Sequence, residues 1–180
     1  MMQANEKVVL RRISYRISSW IVTLSFGLAA TGLSIAVSIG GLEGDALLGV
    51  AASLGCIALI RRIFGARIIL RRSSVTIVNP LMTYIIPCGR IAHVGFNGMP
   101  TIVTRRGDEI FASGFQESII DYFMCTAEYA MERIEIHVRH HGRFGGNLKV
   151  KKRFTFSWIA DLCTVGAAIT LLLMVTIVDG

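Results

Sequence analysis

Few residues in this 180-residue chain combine the type and spacing that chemistry requires. His137, His140 and His141 crowd together, and His137 with His141 has the i, i+4 spacing that puts two imidazoles on one helical face, as zinc ligands need. No glutamate lies between them in metalloprotease order, and Gly142 ends the segment at once. The cluster therefore reads as a solvated helix end favoured by the helix dipole, with no metal assigned. Cys56, Cys88, Cys125 and Cys163 match no zinc spacing. No serine stands in a nucleophile-elbow context, and Gly95, Gly98 and Gly107 sit among turn residues with no helix opening after them, which excludes a phosphate loop. No catalytic centre is legible, no cofactor is expected, and the chain reads as non-enzymatic. Two charged features remain: the pair Arg71-Arg72, and Asp161, the one ionisable carboxylate or base in a long apolar run.

The elements that carry these residues follow from composition. Hydrophobic residues make up 53% of the chain and charged residues only 17%. Two apolar runs lie at opposite ends. The stretch Ile17 to Gly41 carries no charge, and Phe154 to Val178 carries only Asp161. Each is long enough to cross a hydrocarbon core of ~30 Å, which takes ~20 helical residues. A third run, Ala46 to Ile60, is short, but Arg61 and Arg62 have apolar stems that snorkel to headgroups and extend it. The glycine-rich link Gly40-Gly41-Leu42-Glu43-Gly44-Asp45 reads as the tip of a helical hairpin. Small residues at four-residue spacing, Gly32, Ala36 and Gly40 facing Ala51 and Gly55, are expected to form its internal seam. The organisation is thus a basic N-terminus (1–16), a transmembrane hairpin (17–64), a middle domain (65–142), a basic linker (143–154) and a third span (155–178).

The net charge of +7 suggests nucleic acid, but the placement of the bases argues for a membrane. Lys7, Arg11, Arg12 and Arg16 precede the first span, the remaining bases run from Arg61 to Arg153, and the hairpin tip holds only Glu43 and Asp45. By the positive-inside rule the N-terminus and residues 61–154 are cytoplasmic and Gly180 is outside, in a multi-pass protein of the cell's inner membrane. Bases beside spans also attract anionic lipid, so no nucleic-acid partner is needed. Cys88 and Cys125 then lie in a reducing compartment, and disulfides are not expected.

From Arg67 the pattern changes to short β-rich runs at about 67–70, 74–79, 82–87, 91–97, 101–105 and 109–112. Asn79-Pro80, Asn97-Gly98 and Arg106-Gly107-Asp108 supply the turns of an antiparallel meander. Ser113 and Gln116 have capping-box spacing, and Ile119, Phe123, Ala127, Met131, Ile134 and Val138 then form one apolar helical stripe. The fold class is α+β: three transmembrane helices and a small antiparallel sheet capped by one long amphipathic helix. That plan resembles the pleckstrin-homology (PH) superfold. Val75-Thr76-Ile77-Val78-Asn79-Pro80-Leu81, then Ile86-Pro87, then Ile91-Ala92-His93-Val94, are similar to the short bacterial PH-domain membrane family over roughly Arg67 to Phe115. Cys88 stands where that family often has tryptophan, Arg90 where it often has an acid, and six strands are read against the seven of a full PH fold.

The resemblance implies a recognition role in which Arg71 and Arg72 occupy the place of lipid-binding bases. Read from spacing alone, they are a solvated hairpin tip near anionic headgroups. The expected function is a membrane-anchored module that engages a protein partner or anionic lipid, including by strand addition to an open sheet edge. The alternative is a subunit of a larger transporter or envelope-synthesis complex, held through its spans. Asp161, near the inner end of the third span, is expected to pair with Arg61 or Arg62 at the matching end of the second; an unpaired carboxylate in the headgroup layer near Trp158 is the other reading.

Overall fold

The computed structural model of the chain describes residues 7–40, 44–116, 126–142 and 149–178, and the architecture is α+β with antiparallel sheets. Two compact units result: Ser14–Phe64 with Phe156–Gly180, and Met1–Ile13 with Gly65–Thr155.

The first unit is helical. Helices α1 (Ile13–Gly40) and α2 (Gly44–Ile63) and the last helix, α4 (Trp158–Val178), are each long and apolar enough to cross a membrane. Helix α1 is rich in serine and threonine, which would burden a lipid-facing helix with unsatisfied hydroxyls. Thr23, Ser25, Thr31, Ser34 and Ser38 each donate to the carbonyl four residues earlier, and Thr164 and Thr170 of α4 do the same. Each hydroxyl is thus satisfied within its own helix, as a span requires. Where α2 meets α1, Gly49 lies against Leu33, and two of the small residues expected at the hairpin's seam stand in open space. Gly32 and Ala36 are exposed, and a side chain added at Gly32 or Gly55 would meet nothing within 4 Å. The main seam joins α2 to α4, where Ala51, Ile57 and Ala58 are buried on one helix and Ala160 on the other, and Gly166 leaves room for Leu54. Small residues permit close approach; they do not choose the partner.

In the second unit, β1 (Val8–Leu10), β2 (Arg67–Arg71), β3 (Ser74–Val78), β4 (Met82–Pro87) and β8 (Lys151–Phe154) form one sheet, in the order β1-β2-β3-β4-β8. Strands β5 (Ile91–Phe96), β6 (Pro100–Thr104) and β7 (Glu109–Phe111) form another. The single meander of the sequence reading is therefore two sheets, broken where Cys88–Arg90 makes a 3-10 turn. Alternation sets the inward faces: Ile68 and Leu70, Val75 and Ile77, Ile86, Ile102 and Ile110 meet in one core, closed by Ala130 and Ile134 of helix α3 (Thr126–His141). Gly98 and Gly107, at φ +68° and +86°, make the two tight turns of the smaller sheet.

Three expectations change. Val8–Leu10, expected as part of a basic tail, pairs with β2 in the register Val8↔Leu70, Val9↔Ile69, Leu10↔Ile68. Lys151–Phe154, expected as linker, pairs with β4 from Met82↔Phe154 to Ile85↔Lys151. The capping box does not form: Ser113–Phe115 is a 3-10 turn, Gln116 is extended (ψ 136°), and the Ser113 hydroxyl donates to Asn79 Oδ1 at 3.0 Å. Ile119 and Phe123 of the expected stripe, with Cys125, lie outside the described residues. Ala127, Ala130 and Ile134 carry the buried face of α3, and Met131 is only half-buried.

Candidate functional site

The β2–β3 hairpin closes with Arg71 opposite Ser74, which leaves Arg71 and Arg72 exposed at its tip. The C-terminal end of α3 meets this tip. His137 Nε2 lies 2.8 Å from the Arg71 carbonyl oxygen, and because a carbonyl only accepts, Nε2 carries the proton. Burial lowers the His137 pKa, opposed by this hydrogen bond and assisted by the neighbouring His141 and His140. The His137 and His141 rings stack with centroids 4.5 Å apart, and His141 Nδ1 is 3.1 Å from the His137 carbonyl oxygen. One nitrogen of each ring is thus committed to backbone, and among the described residues no group of three metal-ligating side chains gathers. His137 fastens the hairpin tip to the helix, and His141 backs it from within the helix. Burial pushes the Cys88 thiol up to about 11, which keeps it protonated at neutral pH.

Asn79 organises the other end of the larger sheet. Its side chain donates to the Phe111 carbonyl at 2.8 Å and accepts from the Ser113 amide, while its own carbonyl accepts from the Thr155 hydroxyl. Arg12, expected as a membrane-flanking base, is instead buried and donates to the Gln116 carbonyl at 3.1 Å. Basic side chains remain exposed on β8, at Lys151, Lys152 and Arg153; Lys152 lies over the Tyr84 ring at 5.6 Å. A lysine-rich edge discourages further strand addition, so the edge beside β4 is both filled and guarded.

Within the helical unit the charges sit at one end of the helices. Arg62, in the last turn of α2, donates to Asp161 in the first turn of α4. The other Asp161 oxygen accepts the Ser157 amide at 3.2 Å, so the carboxylate also caps its own helix at the favourable end of the dipole. Arg61 takes a different partner, its guanidinium 4.5 Å from the centre of the Trp20 ring on α1. Tyr15 and Phe64 stack nearby with centroids 4.9 Å apart. Aromatics and arginines at one level are the usual furnishing of a membrane–water boundary.

Sequence reasoning missed β1, β8, Asn79 and Arg12. The alternation in Lys149-Val150-Lys151 and the apolar triplet Val8-Val9-Leu10 were the available signals, and flanking charge hid both. No protein-family model, no curated protein and no solved structure matches this chain.

Proposed function

We propose that this chain is a non-enzymatic, multi-pass protein of a bacterial inner membrane whose PH-like domain recognises anionic lipid or a protein partner at the cytoplasmic face. One observation carries the reading. Strands from before the first span (β1), after the second (β2) and before the third (β8) hydrogen-bond in a single sheet. That pairing needs residues 10 and 67 on the same side of the bilayer, which two crossings allow and one or three do not. The positive-inside rule then assigns that side to the cytoplasm, since the described hairpin residues bear no base at the far ends of α1 and α2. Strand β1 also supplies the seventh strand that the six-strand reading lacked, with the span pair inserted after it and β8 appended to the sheet. A recognition domain tied to its membrane by three connections, at 11–12, 64–66 and 155–157, needs no further localisation signal.

A second reading, an accessory subunit of a larger membrane assembly, is favoured by α1. Leu28 and Ile39 are 74% and 83% exposed, and Gly27 and Gly32 leave open ground for another helix. Purification of the full chain in mild detergent separates the two. Anionic lipid or a soluble protein that is retained, and then lost when Arg71 and Arg72 are both replaced by glutamine, supports the module. A membrane protein retained in fixed stoichiometry regardless of that replacement supports the subunit.

A further inference from the structure

We infer that the domain holds a second anion site, a cleft open to solvent on one side and sized for a single phosphate monoester, between the start of β5, the β6–β7 turn and the segment entering β8. Arg90, Arg106, Lys149, Thr104, Asp108 and Val150 line a cavity of about 180 Å³ there. Three cations face one carboxylate, and that carboxylate is already engaged. The Asp108 Oδ2 accepts from the Thr104 hydroxyl at 3.2 Å, and the hydroxyl oxygen in turn accepts the Arg106 and Asp108 amides at 3.3 and 3.1 Å. These bonds close the turn around Gly107 and fix Asp108 in the loop, and three cations against this one carboxylate leave the lining net positive.

Among the described residues, none of these bases is spent elsewhere: Arg90, Arg106 and Lys149 make no ion pair. Arg90 ends the 3-10 turn Cys88–Arg90, its carbonyl fixed by the Arg105 amide at 2.8 Å, and its side-chain Nε is buried with no hydrogen-bond partner. The cavity gathers this guanidinium with Arg106 and Lys149, and a cleft lined mainly by one sign of charge concentrates the opposite ion. Size and charge select the class of ligand. The volume is below the ~300–1,000 Å³ of pockets for drug-sized molecules, so only a small head fits. The guanidinium fork matches carboxylate and phosphate alike, but three cations balance a doubly charged phosphate better than a singly charged carboxylate. The phosphate comes either from a lipid headgroup such as phosphatidate or from a soluble monoester. Only the lipid source rests on the recognition-module reading, since Lys149 lies just ahead of β8 and the span that follows.

Titration calorimetry on the full chain in zwitterionic detergent tests this, with inorganic phosphate, dihexanoyl phosphatidic acid and dihexanoyl phosphatidylcholine as probes. Saturable binding of either phosphate probe, and none of the phosphocholine lipid, is expected. Arg90→Gln, Arg106→Gln and Lys149→Gln should each weaken it by about 10-fold or more, as loss of one charge-assisted hydrogen bond does. Arg106 and Lys149 are exposed, so their variants keep the test valid if Arg90→Gln does not fold. The paired Arg71→Gln and Arg72→Gln replacement, away from the cavity, should change binding by less than about 2-fold. Tighter binding of phosphatidic acid identifies a headgroup, and equal binding of inorganic phosphate a soluble ligand; both uphold the site. Absence of saturable binding by either phosphate probe overturns it, and so does weakening by the Arg71 and Arg72 replacement as great as by the cavity variants. Failure of the purification experiment above leaves this outcome unaffected.

Discussion

Leu10 is the residue whose loss says most about how the domain is assembled. It belongs to β1, pairs with Ile68 across the sheet, is 8% exposed, and joins the core with Leu70 and Ile77 although a span pair separates it from them in sequence. Leu→Ala at a buried site costs ~2–5 kcal/mol. An edge strand collapses onto the gap more readily than a central one, so Leu10→Ala is expected at about 2–3 kcal/mol. Its neighbour Val9 points outward at 46% exposure, and Val9→Ala should stay within ~0.5 kcal/mol. Hydrogen exchange in the full chain in detergent reads the difference locally. Where exchange follows opening free energy, 2–3 kcal/mol is about a 30- to 150-fold acceleration in the peptide covering 67–78. Exchange unchanged by Leu10→Ala, in a preparation where Ile68→Ala accelerates it, would refute the incorporation of β1.

Two more outcomes follow from the contacts. Arg62→Gln and Asp161→Asn should show a coupling of about 1–2 kcal/mol in a double-mutant cycle on thermal stability, because each side chain is the other's partner in a half-buried setting; Arg61→Gln, which loses the contact with the Trp20 ring, should add independently of Asp161→Asn, and coupling of Arg61 instead of Arg62 would contradict the pairing. His137 binds its proton less readily folded than unfolded, so the unfolded state takes up more protons as pH falls through 6.5; stability from this group is complete above that value and lost below it, and His137→Gln should flatten the acid limb of a stability profile measured between pH 5 and 8, whereas an unchanged limb would assign it to other groups.

Legibility in the sequence followed the strength of local signals. The spans were readable because length and absence of charge suffice, and six strands because turn residues such as Asn97-Gly98 and Gly107 punctuate them. The partner of Asp161 was narrowed to two arginines by charge and depth, but the choice of Arg62 depends on which face of α2 meets α4, and a helix that is apolar all round has no periodicity to report it. Strands β1 and β8 are three and four residues long, and their pairing joins positions some sixty or seventy apart. Such non-local contacts leave almost no local trace. Ser113 shows the opposite failure: a valid capping motif was overridden because Asn79 offers its hydroxyl a tertiary acceptor.

The most direct test of the topology is accessibility of epitope tags in sealed vesicles of known orientation, with tags at the N-terminus, near Asn147 and after Gly180. The N-terminal and Asn147 tags should be reached together from the cytoplasmic face and the Gly180 tag only from the other. Tags at the N-terminus and Asn147 on opposite faces would break the β1–β2 pairing, and with it the single domain on which the proposed function stands.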